Sequence, residues 1–243
     1  MYHQELARSG HALFSVRGLY IHAVIACGVA IAWCSGQTGP FASDEANCWW
    51  QAASLAVALG GALWRVLVSG YAALGTSGNA KKEAVAAELN TTGPYSLVRN
   101  PLYVGRILNF TGIAMLSGSW VYGALVYLIA VLVYERISFY EEEFLKREFG
   151  EAHRQWAEQV TALLPRLTGW VKPKYPFWWK RAVYRENKKF FYLAMAIVLY
   201  DLARDEFVLP TDLTYLYAFG GFAVLTLALD LGGRFGKIFK GIS

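Results

Sequence analysis

Charge is scarce in this chain. Of its 243 residues 17% are charged, against 56% hydrophobic and 16% aromatic, whereas a soluble domain carries about a quarter charged residues. Cysteine is scarce as well. Cys27, Cys34 and Cys48 have no CxxC spacing and are odd in number, which argues against a zinc ribbon or a disulfide framework. Free thiols of this kind act as small apolar residues in or near helices. No metal site is expected, and no second intramembrane histidine could join His22 as a haem ligand. No strand leads into a GxGxxG turn, and the GGRFGK stretch near the C-terminus lacks Walker spacing. Lys and Arg form no stripe on a nucleic-acid fold, so nucleic acid is not an expected partner.

What the chain does have is long apolar runs. The first extends from about Val16 to Cys34 and the second from about Trp49 to Val68. Each is long enough to cross roughly 30 Å of hydrocarbon at about 1.5 Å per residue. The stretch from Leu102 to Tyr134 is apolar but broken at Ser117-Gly118-Ser119, which predicts a helical hairpin with two short arms. Two further runs occupy about Phe190 to Leu209 and about Leu213 to Leu231. The first run shows no clear small-x-small cleavage site, so it reads as a span rather than a cleavable leader.

Between these runs the character changes. From Glu135 to Arg166 charges alternate with Ile137, Tyr140, Phe144, Leu145 and Phe149, the spacing of an amphipathic helix outside the bilayer. Gly150 is a natural stop for it, with a second short helix through Trp156 and Val160 ending at Pro165. Residues 172–189 are basic, with Phe177, Trp178 and Trp179 interleaved, the pattern of a chain lying on an anionic lipid surface.

Charge then sets the topology. The loops at 35–48, 117–119 and 204–212 contain Arg204 as their one basic residue, while 72–102, 135–189 and the tail with Arg234, Lys237 and Lys240 are basic. The positive-inside rule puts the basic segments in the cytoplasm. About six crossings with both termini cytoplasmic satisfy every loop. The expected fold is therefore an all-α polytopic membrane bundle with cytoplasmic amphipathic helices, in three regions: N-terminal spans and loop (1–89), a polar core with its hairpin (90–166), and a basic stretch with two last spans (167–243).

Ionisable residues within spans are costly and each is a candidate site. Arg65, Asp201 and Asp230 fall near the ends of their runs, where interface anchoring accounts for them. Arg99, Asn100, Pro101, Tyr103 and Arg106 are more informative. Pro101 keeps Asn100 extended and starts the next helix, which leaves Arg99 at a loop-to-helix junction of the kind that favours anions. Glu141, Glu142 and Glu143 lie on the amphipathic helix. Glu141 shares a face with Leu145 and Phe149, and a carboxylate on an apolar face needs a partner.

The run GPYSLVRNPLYVG, a two-armed hairpin, and YEEEFLKREFGEAHRQWAEQVTALLPR together resemble the catalytic region of the isoprenylcysteine carboxyl methyltransferase family, which belongs with the phospholipid N-methyltransferases. The shared positions are Gly93, Tyr95, Arg99, Pro101, Tyr103 and Gly105, then Glu141, Glu142, Leu145, Phe149 and Gly150, and a closing Pro165. The resemblance implies S-adenosylmethionine as cofactor, bound by Tyr95, Arg99, Asn100, Pro101, Tyr103, Gly105, Arg106, Glu141 and Glu142. It implies catalytic roles for Arg99, Glu141 and Glu142, with Arg136 and Arg154 as further polar candidates. Two positions depart from the family pattern: Asn100 stands where a His is common, and His153 where a Tyr is usual. Asn100 hydrogen-bonds but does not titrate near neutral pH.

The function implied is methyl transfer to a lipid or other apolar, membrane-partitioned acceptor. A prenylated-cysteine carboxylate and a phospholipid amine both fit, and the basic stretch at 172–189 favours a lipid with an anionic head. The cofactor would enter from the cytoplasm and the acceptor sideways from the bilayer. Two other readings compete: an NADPH-dependent, sterol-reductase-like membrane enzyme, and a non-enzymatic scaffold or transport subunit.

Overall fold

In the computed structural model the described residues are 2–76 and 86–235, with side chains described from residue 5 to 232 apart from residue 7. Lys81, Lys82, Glu83, Lys237 and Lys240 lie outside the described residues, as does the side chain of Arg234. Helix α1 spans Tyr2–Val16, α2 Tyr20–Ser35, α3 Asp44–Tyr71, α4 Pro101–Met115, α5 Trp120–Gln159, α6 Trp179–Arg204 and α7 Thr214–Phe235. A 3-10 turn, Pro94–Ser96, precedes α4. Among the described residues there is no strand, only the isolated bridges Thr76–Ala86 and Gly93–Val171. The expected all-helical bundle is what forms.

Length and apolarity qualify α3, α5 and α7 to cross a bilayer, with the bent pair α1–α2 as a fourth. Helix α4 has 15 residues, about 22 Å at 1.5 Å per residue, which is shorter than the hydrocarbon. Helix α6 opens in the basic stretch before it turns apolar.

Two segments differ from the sequence reading. The first apolar run is preceded by another helix, α1, which meets α2 at 67°. Its alternating polar residues keep its mean hydropathy low, so it carries no span signature. It lies along α5, with His11 and Phe14 both against the Tyr140 ring at 5.0 and 5.5 Å between centroids. The second difference is in α5. The hairpin's second arm and the helix carrying the glutamates run on without interruption from Trp120 to Phe149, about 45 Å at 1.5 Å per residue. A bilayer takes up about 30 Å of that, so the part carrying the glutamates projects past the hydrocarbon. Gly150 ends that run as expected, with φ 49° and ψ −118°, and the expected second short helix follows beyond the kink to Gln159.

Helices α3 and α4 approach closely. A Cβ on Gly61 would lie 2.5 Å from the Asn109 nitrogen and from the Gly105 carbonyl oxygen. Small residues permit such contact where no water drives helices together. Asn109 adds a buried bond from Nδ2 to the Ala58 carbonyl at 3.0 Å. The core between α1, α2, α4, α5 and α6 is filled by Phe14, Ile25, Ile113, Tyr134, Ile137 and Tyr200. Helix α7 packs on α6, through Phe191–Phe219 stacking at 5.7 Å and a Lys188–Asp230 ion pair at 2.7 Å. Its Val224, Leu225 and Leu227 stay exposed.

The loops poor in basic residues meet at one end of the bundle. Arg204 donates to the carbonyls of Gln37 and Leu116, and Trp50 Nε1 to that of Met115 at 3.0 Å. The polar segments gather at the opposite end, around the first turn of α4.

Candidate active site

The corner before α4 is built by backbone pairing. Residues 97–100 run beside 161–166: the Arg99 nitrogen donates to the Thr161 carbonyl at 2.8 Å, Asn100 to Ala162 at 3.2 Å, and Arg166 to Leu97 at 3.0 Å. Pro101 then opens α4 at a position where a missing N–H costs nothing. Arg99 is fully used. Its Nε and Nη2 donate to the two oxygens of Glu142 at 3.0 and 2.9 Å, and its Nη1 to the carbonyls of Ala157 and Val160 at 2.7 and 2.8 Å. Asn100 Nδ2 reaches the same Glu142 at 3.2 Å. The Arg-Asn-Pro corner and the glutamate helix, 43 residues apart in sequence, are thus bolted together.

Behind this clamp is a cavity open to solvent, about 860 Å3 of empty space counting its mouth. Of the nine residues the sequence singled out, Tyr95, Arg99, Asn100, Pro101, Tyr103, Arg106 and Glu141 line it. Glu142 stands behind Arg99 as its counter-ion. Gly105 faces α3 instead, where a Cβ would meet the Gly61 carbonyl oxygen at 2.7 Å; its part is to let α4 approach α3. Arg136 is half-buried and donates to the Leu132 carbonyl. Arg154 pairs on the surface with Glu151 and Glu158.

The cavity has distinct walls. Phe144, Leu145 and Trp156 form an apolar side, and Trp156 Nε1 is anchored to the Tyr95 carbonyl at 3.2 Å. Desolvation, with Glu141 nearby, pushes the Tyr95 phenol up to about 12, so it stays a neutral donor. Deeper in, Tyr103 stacks on Tyr134 with centroids 4.9 Å apart and an interplanar angle of 23°, and its phenol hydrogen-bonds Glu141. Arg17, from the α1–α2 break, and Arg106 complete that end. A strap of residues, Ala86, Glu88, Leu89 and Asn90, covers another side. It is fastened by Glu88 to Lys174 and Tyr175, and by Asn90 Oδ1, which accepts from the Ala73 nitrogen at 2.8 Å.

Arg17, Glu88 and Trp156 were not singled out from sequence as cavity residues. Arg65, read there as an interface anchor, is instead buried at 5% exposure and lines the cavity. Its partner Glu186 lies 121 residues away, a separation that leaves no local signature.

Fold and cavity together define a helical membrane protein with a polar chamber at one end of its bundle. More particularly, residues 51–152 match the phospholipid methyltransferase family. Two curated relatives are similar. The nickel-cobalt-cadmium resistance protein NccN of Alcaligenes xylosoxydans xylosoxydans is 32% identical over 122 residues, 50% of this chain and 54% of that protein. The cobalt-zinc-cadmium resistance protein CzcN of Cupriavidus metallidurans is 36% identical over 80 residues, 33% of this chain and 37% of that protein. The chain therefore spans about half the length of the first relative and less of the second. No solved structure matches the chain significantly.

Proposed function

We propose that the chain transfers a methyl group from S-adenosylmethionine to a lipid or lipid-like acceptor in the membrane. One observation carries this reading: the Arg-Asn-Pro corner, the first turn of α4 and Glu141 on α5 converge on a single chamber. The chamber's chemistry fits the cofactor. Phe144, Leu145 and Trp156 offer an apolar wall to a purine, Glu141 a carboxylate to its cationic groups, and Arg17 and Arg106 guanidiniums to its carboxylate. A carboxylate and an amine acceptor both fit, and the positive-inside rule supports a cytoplasmic position for this end of the bundle.

The bound cofactor would supply an activated methyl group on sulfur. The residues of the chain would align and shield. The Arg99–Glu142 clamp fixes the corner between loop and helix, so the chamber's walls hold their spacing while a nucleophile is brought into line. The apolar wall excludes competing water. Glu141, held by the Tyr103 phenol, would take the proton that an amine acceptor must lose, while a carboxylate acceptor needs no base at pH 7.

The relatives' names concern metal resistance. Among the described residues no three His, Cys, Asp or Glu side chains are grouped to hold an ion. The decisive experiment is incubation of the purified chain, in membranes, with methyl-labelled cofactor, followed by mass spectrometry of the lipids. A labelled lipid supports the proposal. Cofactor binding without any labelled lipid would sink the acceptor assignment, and absence of cofactor binding would sink the whole reading.

A further inference from the structure

Arg65 on α3 and Glu186 on α6 form a buried ion pair beside the chamber. Glu186 is 2% exposed on α6, outside the matched stretch. Its Oε2 accepts from Arg65 Nε at 2.8 Å and its Oε1 from Arg65 Nη2 at 3.2 Å and from Ser69 Oγ at 2.6 Å. Lys189 Nζ lies 3.4 Å away. The carboxylate is thus fully served, as a buried charge must be.

Apolar pairs of similar volume often stabilise such sites as well as a buried ion pair does, so burial alone gives these charges no purpose. Arg65 supplies one. Its remaining nitrogen, Nη1, donates to the Leu102 carbonyl at 2.7 Å, and the neighbouring Trp64 Nε1 donates to the Pro101 carbonyl at 2.8 Å. Both acceptors belong to the first turn of α4, and Arg65, Pro101 and Leu102 all line the chamber. The next residue, Tyr103, carries the bond to Glu141. The α6 end is itself secured to α3, because Arg181, fully buried, donates to the carbonyls of Ser69, Ala72 and Ala73.

We propose that Glu186 is a positioning residue for the chamber. Its carboxylate fixes the Arg65 guanidinium, which holds the first turn of α4 in register with the Arg99 corner, so that α6 belongs to the binding unit. This inference rests on the cofactor-binding reading above. Glu186→Gln keeps the shape and removes the charge, Glu186→Asp keeps the charge, and the paired Arg65→Met, Glu186→Met variant removes both charges at similar volume.

The test measures melting temperature in detergent and S-adenosylmethionine affinity by calorimetry on the full chain. The expected result is binding about tenfold weaker in Glu186→Gln and in the double Met variant, with the double variant melting close to the native chain and Glu186→Asp binding more tightly than Glu186→Gln. Native affinity in either folded charge-less variant overturns the proposal, because the pair would then be packing alone. Failure of both charge-less variants to fold overturns it as well, since the pair would be a structural necessity. If the native chain itself binds no cofactor, the methyl-transfer reading fails first and this inference goes with it.

Discussion

The guanidinium of Arg99 meets the carboxylate of Glu142 edge to edge, with Nε and Nη2 each on its own oxygen at 3.0 and 2.9 Å. Both side chains are about four-fifths shielded, at 17% and 20% exposure. A planar fork matched to a carboxylate is something lysine does not reproduce. Arg99→Lys is therefore expected to behave as a loss variant. It should lower stability by about 1–3 kcal/mol, the range for charge-assisted bonds with a partner left unserved, and weaken cofactor binding. Melting in detergent and calorimetry check both. Native behaviour of Arg99→Lys would show that the clamp is incidental.

The contact between α3 and α4 gives a second test. Gly61→Ala places a methyl 2.5 Å from backbone atoms of both Gly105 and Asn109, and backbone cannot swing aside as a long side chain does. The helices must part, at a cost of about 1–3 kcal/mol typical of overpacking. Because Trp64 and Arg65 on α3 hold the first turn of α4, the same variant should bind cofactor more weakly. A melting temperature equal to that of the native chain would count against the close approach.

Much of this was legible in the sequence, and the reasons for the exceptions are physical. Apolar runs mark helices, and the Tyr95-to-Gly105 run with Glu141 carried a resemblance that reached one side of the chamber's lining. Residues whose role depends on a distant partner were not legible. Arg65 satisfies the positive-inside pattern equally well as a surface anchor, and only its meeting with Glu186 shows it to be buried. Arg17 sits at the start of an apolar run and enters the chamber because α1 and α2 bend there. Gly105 belongs to the family motif, yet its neighbours in space are Gly61 and Arg65, which no one-dimensional pattern states. Gly150 and the short helix after it were legible as a stop and a restart, but not that Trp156 and the carbonyls of Ala157 and Val160 are tied back to Tyr95 and Arg99.

The strap over the chamber should respond to acid. Hydrogen bonds from Lys174 and Tyr175 hold the Glu88 carboxyl below its usual value of 4.5. A depressed folded-state value means that the fastening is complete above about pH 4.5 and is lost as pH falls through the lower, folded value. Exposed pairs of this kind are weak, so Glu88→Gln should leave melting nearly unchanged at pH 7. Cofactor should leave faster, by no more than about fivefold, the upper end for an exposed pair. Stopped-flow dissociation measured at pH 7 on both chains provides the comparison. Identical off-rates would mean that the strap does not govern exit.

Gly150 separates the part of α5 that carries Glu141 and Glu142 from the part that supplies the Ala157 and Val160 carbonyls to Arg99. Its φ of 49° with ψ of −118° lies where a Cβ is strained, and nothing stands within 4 Å of the position a Cβ would take. Gly150→Ala therefore meets no neighbour and reports on backbone strain alone, roughly 1–3 kcal/mol for such conformations. The chain can relieve that strain by straightening α5, which would carry residues 151–160 away from the corner and withdraw two acceptors from Arg99. The expected outcome is a modest loss of stability with a larger loss of cofactor affinity, and faster amide exchange at Arg99 and Asn100, whose N–H groups bond to Thr161 and Ala162. If exchange at those two amides were unchanged while stability fell, the strain would be absorbed locally and the break would have no bearing on the chamber.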